Sequence, residues 1–308
     1  MTPDWDFYAI VPTQFSRERD LDAESTAVNI ERAVELGVSR FLLTGAYGEF
    51  QSLADDERVT LVETVRARCP DVVIMTGAVH PSTDATLQLA NRLFHAGADE
   101  VMVGPPAMAE ITDLDTLRHF DHLDRNSDGP LVLYNNPVFG HDVSPAHISE
   151  LAGMSTFCAI KQGSTSIHQF VESVNAAHAG PRRLRLLAAS DVIAVATLSS
   201  GADGLTSTNF WAFPEQVLAL AHALAAGDRT RALSIHGALT PFFAQARALG
   251  QPRAIKAAML MRGFVGAPAV RLPYAPLSEV ERRGLEETVM AVDSALDAIG
   301  QGREEKAS

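Results

Sequence analysis

The feature that most constrains the fold is a regular alternation of short apolar runs with longer amphipathic runs. Eight apolar runs rich in Val, Ile and Leu predict strands buried on both faces, at residues 7–11, 40–44, 72–76, 100–103, 131–134, 157–161, 184–188 and 204–206. Their spacing is that of a strand followed by a returning helix. Eight such units predict a (β/α)8 TIM barrel. An open doubly wound sheet is the rival, but the chain lacks the glycine-rich dinucleotide-binding motif of that fold.

The pattern after the eighth strand is purely helical. The amphipathic runs there lie at residues 213–226, 229–249, 253–264 and 278–299. The first completes the barrel, and the others predict a small C-terminal helical extension. We therefore expect a barrel at residues 1–225, the extension at 226–300 and a polar, fraying tail at 301–308.

Composition excludes several classes of function. The net charge of −13 argues against nucleic acids and anionic membranes as partners. No apolar run is long enough to span a bilayer, and the N-terminus has no signal-peptide pattern. The two cysteines stand in unrelated contexts, which fits a reducing compartment. Together these features predict a cytoplasmic protein.

Lys161 stands out because lysine is rare in this chain. Only three lysines occur against 22 arginines, so arginine serves wherever a positive charge is sufficient. Lys161 closes the predicted strand 157–161, and the working residues of a TIM barrel stand at such strand ends. An amine that can lose its proton can attack a carbonyl to form a Schiff base, which a guanidinium cannot do. An ordinary ion-pairing lysine is the alternative.

Two further strand ends fit that chemistry. Tyr134 ends the neighbouring strand, and its hydroxyl can carry the protons that imine formation requires. Burial among apolar groups would lower the pKa of Lys161 and make the neutral amine accessible. After the second strand, the loop at residues 45–48 (GAYG) offers backbone N–H groups that can hold a carboxylate.

These motifs together resemble the dihydrodipicolinate synthase / N-acetylneuraminate lyase family. The resemblance covers nearly the whole chain, with PTQF at 12–15, GAYGEF at 45–50, YNNP at 134–137, Ile160-Lys161 and VRLPYAPLS at 270–278. It implies that Lys161 forms an imine with a 2-oxo acid, that Tyr134 relays protons, and that the glycine loop grips the carboxylate. It also implies a homo-oligomer, a tetramer or a dimer, that works without a metal or an organic cofactor.

Departures from the family pattern narrow the function. The loop usually carries two hydroxyl residues, but here Ala46 cannot relay a proton, and Tyr47 either supplies a hydroxyl or blocks part of the pocket. The arginine that lysine-biosynthesis enzymes use after the YNNP position is replaced around Phe139. We therefore expect poor use of aspartate semialdehyde, and a partner aldehyde that is not anionic and is apolar or aromatic. The predicted substrate-binding residues are Ala46, Tyr47, Thr206 and Phe139.

The leading prediction is a Schiff-base lyase or aldolase that acts on a pyruvate-type 2-oxo acid and an aldehyde. One alternative is a dehydratase of a sugar-derived 2-oxo acid, because residues 48–50 and 206–210 resemble the oxo-deoxyglucarate dehydratase branch. Another is a catalytically silent 2-oxo acid-binding relative, left open by the altered loop.

Other polar residues have structural interpretations. Glu49 is expected to bind backbone amides or an arginine, and the pair Ser190-Asp191 to cap the next helix. Lys256 is expected on a helix surface, and His141 in a loop. His80 either lines the pocket or helps to cap the next helix. The ten histidines show no metal-binding spacing.

Overall fold

The structure, a computed structural model, describes residues 5–136, 138, 140, 142–164 and 166–307, with side chains through residue 299. Eight parallel strands form a closed barrel in which each strand pairs with its neighbours in sequence and β8 pairs with β1. The strands are β1 (Asp6–Ile10), β2 (Arg40–Leu43), β3 (Val73–Gly77), β4 (Glu100–Val103), β5 (Leu131–Asn135), β6 (Phe157–Gln162), β7 (Arg185–Ala188) and β8 (Gly204–Ser207). The predicted (β/α)8 barrel is confirmed.

Helices follow every strand and cover the outside of the barrel. They are α1 (Ala23–Glu35), α2 (Asp55–Arg68), α3 (Thr83–His95), α4 (Asp113–Asn126), α5 (Pro145–Leu151), α6 (Ile167–Ala179), α7 (Ala194–Ser199) and α8 (Pro214–Ala225). Several begin where a side-chain oxygen accepts a backbone N–H of the first turn, as Asp22 does for α1 and Ser82 for α3. The left-handed glycines Gly37, Gly97 and Gly201 follow α1, α3 and α7 and end these helices.

The barrel interior changes from polar to apolar along its axis. At the N-terminal end, Arg185 bridges Asp6 and Glu100, and the Tyr8 hydroxyl donates to Glu100 at 2.8 Å. These contacts join non-adjacent strands, so they fill the interior at that end. Above them lies an apolar cluster that includes Ile10, Leu42, Met75, Met102, Val132, Ala159 and Leu187. A polar side chain at the C-terminal end of the strands therefore lies against apolar groups of the barrel interior.

The C-terminal extension consists of α9 (Arg229–Leu249), α10 (Gln251–Met261) and α11 (Glu279–Ala307). Helix α9 packs against both α8 and α11. Residues 301–307, predicted to fray, continue α11, because the Glu, Arg, Lys and Ala in this segment favour helix. The division into barrel, extension and tail stays a prediction. Among the described residues, no helix combines the length and hydropathy needed to cross a membrane.

Candidate active site

Lys161 and Tyr134 lie side by side at the C-terminal end of the barrel. The parallel register pairs Tyr134 on β5 with Lys161 on β6, so both side chains point to the same face of the sheet. The Lys161 Nζ is 4.1 Å from the centroid of the Tyr134 ring. Each residue is only 3% exposed. The structure thus brings together the predicted nucleophile and the predicted proton carrier.

Burial changes the acid–base behaviour of Lys161. Its amine rests on the apolar cluster inside the barrel, and loss of hydration lowers the pKa of Lys161 from 10.5 to about 7. No carboxylate among the described residues forms an ion pair with it to oppose that shift. A substantial fraction of the amine is therefore neutral, and hence nucleophilic, at neutral pH.

The pKa of the Tyr134 hydroxyl is shifted in the opposite direction to that of Lys161. Burial raises the pKa of Tyr134, and the neighbouring Tyr47 raises it further. Asn136 donates its side-chain N–H to the Tyr134 oxygen at 2.9 Å, which fixes the orientation of the hydroxyl. The phenol therefore keeps its proton across the physiological range and can donate it to a leaving oxygen or nitrogen.

A cavity of about 190 Å³ opens beside these two residues. It is large enough for a small organic acid and a short partner. Loops after β2, β5, β6, β7 and β8 contribute to its wall, as the fold predicts for a reactive site. Its lining includes Tyr47, Tyr134, Asn136, Val138, Lys161, Gly163, Ser190, Asp191, Val192, Thr206, Thr208 and Asn209.

The glycine loop forms one wall of this cavity. Tyr47 lines the cavity from a short 3-10 helix, Ala46–Gly48, and burial together with Asp191 raises the pKa of Tyr47. Ala46 is not among the lining residues, and a role for its side chain stays a prediction. The backbone N–H groups of Ala46 and Tyr47 have no hydrogen-bond acceptor among the described residues. Two adjacent unpaired donors can hold a carboxylate without any side chain.

The opposite wall is polar and comes from the loops after β7 and β8. Thr206 lines the cavity and donates its hydroxyl to the Ala188 carbonyl at 3.3 Å. Asp191 is 5% exposed, and its carboxylate accepts the side-chain N–H of Asn209 at 2.7 Å. The prediction that Ser190 and Asp191 cap the next helix is wrong, because no side chain caps the short helix there.

The C-terminal extension closes the mouth of the cavity. Phe243 and Arg247 reach it from α9, and Gln251 reaches it from the start of α10. Sequence reasoning missed these three residues, because nothing local marks a helical residue far along the chain as part of a barrel site. Their presence makes the extension part of the site.

Lys256 is buried, and the prediction that it lies on a helix surface is wrong. It is 1% exposed, and its Nζ lies 2.6 Å from Glu49 Oε1. Glu49 was expected to bind backbone amides or an arginine. It does accept a backbone N–H, from Arg271 at 2.9 Å, but its charged partner is a lysine. The signal available in the sequence was the purely apolar neighbourhood of Lys256, which indicates burial.

The remaining predicted residues lie outside the cavity or cannot be placed. His80 contacts Asp55 at 3.1 Å, and Ser82 alone caps α3. Phe139, predicted to contact the substrate, and His141 lie outside the described residues. Within the described part of the chain, no three His, Cys, Asp or Glu side chains cluster closely enough to hold a metal ion.

A larger cavity, about 410 Å³, lies at the opposite end of the barrel. Its lining includes Asp6, Arg40 and His222, and the first two already form an ion pair at 3.2 Å. Reactive groups of TIM barrels gather at the C-terminal ends of the strands, whereas the N-terminal end serves stability. The smaller cavity beside Lys161 is therefore the candidate active site.

Comparison with known proteins shows the family to which the chain belongs. The model of the dihydrodipicolinate synthetase family matches residues 6–292. The chain is 28% identical over 274 residues to a 4-hydroxy-tetrahydrodipicolinate synthase of Methanothrix thermoacetophila, covering 89% of this chain and 91% of that one. It is 32% identical over 269 residues to the enzyme of that name from Exiguobacterium, covering 86% and 90%.

Solved structures support the same fold. The prophage protein YagE from E. coli K12, solved in complex with pyruvate, superposes with a TM-score of 0.87 at 24% identity. The match covers 94% of this chain and 98% of YagE. The family model spans the barrel and most of the extension, including the strands that carry Tyr134 and Lys161. The chain therefore belongs to the dihydrodipicolinate synthetase family.

Proposed function

We propose that the protein is a class I carbon–carbon lyase or aldolase that forms a Schiff base between Lys161 and a pyruvate-type 2-oxo acid. The observation that carries this proposal is the buried amine of Lys161, which has a lowered pKa, no carboxylate partner among the described residues and a protonated phenol beside it. An ordinary structural lysine would have a carboxylate or carbonyl partner in such a place.

The proposed reaction begins with attack of the neutral Lys161 amine on the C2 carbonyl of the substrate. Tyr134 donates a proton to the carbinolamine oxygen, water leaves, and a protonated imine forms. The N–H groups of Ala46 and Tyr47 hold the C1 carboxylate during these steps. This assignment gives Tyr47 a binding role through its backbone as well as its ring.

Carbon–carbon cleavage then uses the imine as an electron sink. The C4 hydroxyl gives its proton to the Tyr134 oxygen, the C3–C4 bond breaks, and its electron pair moves into the enamine. The aldehyde leaves, C3 takes a proton, and water hydrolyses the imine to release the 2-oxo acid and free Lys161. Synthesis is the reverse sequence, and all protons are carried by residues already in the cavity and by water.

The proposed partner of the 2-oxo acid in this cavity is an uncharged aldehyde with an apolar body. Val138, Val192 and Phe243 supply apolar surface there. Arg247 is the one guanidinium among the lining residues, so an anionic partner has a possible contact that the sequence did not indicate. Comparing the turnover of uncharged aldehydes with that of aspartate semialdehyde decides between an uncharged and an anionic partner. Efficient use of the anionic aldehyde would overturn the preference.

A dehydratase acting on a sugar-derived 2-oxo acid is the second candidate, and one observation favours it. Asp191 Oδ1, Thr208 Oγ1 and Asn209 Oδ1 are buried oxygens without a hydrogen-bond partner among the described residues, and all three residues line the cavity. Buried oxygens of this kind are satisfied when hydroxyl groups bind nearby. Release of water instead of an aldehyde from a hydroxylated 2-oxo acid would identify this activity.

The experiment that tests the Schiff base is incubation with pyruvate and borohydride, followed by intact-mass analysis and peptide mapping. We expect one reduced adduct, located on Lys161. Lys161→Ala and Lys161→Arg should both abolish it, because alanine has no amine and a guanidinium stays protonated. An adduct that survives Lys161→Ala, or that maps to Lys256, would refute the assignment. An adduct without turnover of any 2-oxo acid would indicate the silent relative.

We also infer a cytoplasmic homo-oligomer. Apolar side chains on loops and helix starts at the C-terminal end of the barrel are exposed, including Met108 at 61%, Leu114 at 58% and Val138 at 80%. A contiguous exposed apolar patch favours self-association, and we propose that these side chains contribute to one between subunits. Sedimentation velocity measures the state directly, and a monomer at micromolar concentration would contradict this inference.

A further inference from the structure

The loop that forms one wall of the cavity has an unusual backbone. Thr44 at its start has φ of 46°, and Glu49 near its end has φ of 58°. Left-handed backbone disfavours residues with a side chain, and a β-branched threonine most of all. Such conformations persist only where surrounding contacts impose them. The contacts of Thr44 and Glu49 therefore determine the shape of the segment that carries Ala46 and Tyr47.

Thr44 is held from within the barrel. Its hydroxyl contacts the Thr76 hydroxyl at 2.8 Å and accepts the Gly77 N–H at 2.8 Å. Both partners belong to β3, the neighbouring strand. The start of the loop is thus fixed by the sheet itself.

Glu49 is held from the C-terminal extension. Its Oε1 lies 2.6 Å from the Lys256 Nζ on α10, and its Oε2 accepts the Arg271 N–H at 2.9 Å. Lys256 also donates to the Ala269 carbonyl at 2.8 Å, and its Nζ lies 4.3 Å from the centroid of the Phe15 ring. Both side chains of the ion pair are 0% exposed. The end of the loop is therefore tied to a different part of the fold from its start.

Two other side chains hold the backbone of this segment. The Thr13 hydroxyl donates to the Gly48 carbonyl at 2.8 Å, and Arg58 donates to the Phe50 carbonyl at 2.8 Å. These are bonds to backbone oxygens, which hold the chain without fixing the carboxylate of Glu49. Among the described contacts of this loop, only the pair Glu49–Lys256 joins two opposite buried charges, so its hydrogen bond has an ionised donor and an ionised acceptor.

We propose that Glu49 and Lys256 are positioning residues, which hold the loop at residues 45–50 in the shape that binds the carboxylate of the 2-oxo acid. The inference rests on the proposed function, since it assumes that the loop binds this carboxylate. Neither side chain lines the cavity, so both act through the backbone of Ala46 and Tyr47. The extension thereby controls one wall of the site from outside it.

The test measures how the rate of borohydride-trapped adduct formation depends on pyruvate concentration. Glu49→Gln keeps the shape of the side chain and removes its charge. We expect the half-saturating pyruvate concentration to rise about 10-fold to 100-fold, the scale of a small misplacement of binding groups. The limiting rate at saturating pyruvate should change much less, because Lys161 and Tyr134 are untouched.

A double variant separates positioning from stability. Removing one charge of a buried pair leaves the other uncompensated, whereas removing both avoids that penalty. Glu49→Gln combined with Lys256→Met should therefore recover thermal stability but keep the raised pyruvate requirement. If the pyruvate requirement returns to the wild-type value together with stability, the pair is only structural and the proposal is overturned. Should Glu49→Gln alone fail to fold, the double variant gives the decisive measurement.

The control is the ion pair between Asp293 on α11 and Arg262, the residue that follows α10, which are 2.8 Å apart and do not touch the loop. Asp293→Asn should lower thermal stability without changing the half-saturating pyruvate concentration. The two proposals fail in different ways. A wild-type protein that traps no pyruvate refutes the proposed function, whereas a trapped adduct with unchanged concentration dependence in both Glu49 variants refutes only the positioning role.

Discussion

Two lysines are buried to a similar degree but differ in the charged groups around them. Lys161 at the end of β6 is 3% exposed, and Lys256 on α10 is 1% exposed. Each amine lies over an aromatic ring, at 4.1 Å from the Tyr134 centroid and 4.3 Å from the Phe15 centroid. Burial lowers the pKa of both, to about 7 for Lys161 and about 8 for Lys256.

The partners differ. Lys256 has the Glu49 carboxylate and the Ala269 carbonyl, so its ammonium is satisfied. Lys161 has no carboxylate partner among the described residues, and the ring beside it carries a hydroxyl. Burial alone thus does not make a lysine reactive. Under the proposed function, a missing counter-charge and a nearby hydroxyl distinguish the nucleophile Lys161 from the structural cation Lys256.

The largest effect is expected from removing the Tyr134 hydroxyl, the group that distinguishes the ring beside Lys161 from the Phe15 ring beside Lys256. Tyr134→Phe makes the ring beside Lys161 resemble Phe15, and turnover should fall by about 10²–10⁴, the usual contribution of a general acid–base group. Steady-state kinetics with the best 2-oxo acid substrate measures it. The control is Tyr8→Phe, a buried tyrosine at the other end of the barrel, which should leave turnover intact. Wild-type turnover in Tyr134→Phe would mean that Tyr47 or water carries the proton.

The second prediction concerns stability, with opposite signs for the two lysines. At pH 6, Lys161→Met should stabilise the protein by about 3–5 kcal/mol, because it removes an amine that burial forces toward its neutral form. Lys256→Met should destabilise it by about 3–5 kcal/mol, because Glu49 keeps a buried charge without its partner. Chemical denaturation of each variant against wild type gives both values. Equal signs would show that the two environments do not differ as described.

The pH dependence of that stabilisation follows from linkage. The pKa of Lys161 in the folded state, about 7, lies below its ordinary value, so the unfolded chain binds more protons between these two values. Wild-type stability should therefore rise with pH across that window, and the penalty is complete below about pH 7. The advantage of Lys161→Met should shrink when the denaturation is repeated at about pH 9.

The third prediction uses the same pKa to follow reactivity. The rate of adduct formation with subsaturating pyruvate should rise about tenfold per pH unit below pH 7 and level off above about pH 8, as the neutral amine becomes the main form. Rapid quenching with borohydride after incubation at each pH measures it. A profile that still rises near the ordinary pKa of lysine would show that burial does not activate Lys161.

The smallest effect is expected at the mouth of the cavity. Arg247→Gln should change kcat/KM for uncharged aldehydes by less than about threefold, since an exposed charge at a rim contributes little to an uncharged ligand. The control is Arg229→Gln, at the distant start of the same helix. A loss of tenfold or more (about 1.4 kcal/mol) restricted to anionic aldehydes would show that Arg247 recognises an anion. It would also contradict the prediction of an uncharged partner.

Local pattern was sufficient for the barrel. Each strand is a short apolar run because both of its faces are buried, and that requirement appears directly in the sequence. The predicted runs agree with the observed strands to within one or two residues at each end. Tyr134 and Lys161 could be predicted to lie side by side because they stand at the ends of adjacent strands of a parallel barrel, where the fold itself places them together.

The same reasoning failed where contacts join distant segments. Lys256 lies on α10, and the local sequence of that helix does not indicate how it packs against the barrel. Its partner Glu49 is 207 residues away. Asp191 was interpreted as a helix cap from its local position, but it pairs with Asn209 on the next loop. Arg247 and Gln251 reach the cavity only because α9 and α10 fold back over its mouth.

The sequence by itself determined the order of the elements, the closed barrel and the adjacency of Tyr134 and Lys161, because burial and strand pairing act through periodic local patterns. The tertiary structure decided which charges are satisfied. A lysine is nucleophilic or structural according to the carboxylates that reach it through space, and those carboxylates come from segments that packing alone brings together. That is why Lys161 could be proposed as the nucleophile from the sequence, whereas the structural role of Lys256 followed only from the Glu49 carboxylate beside it.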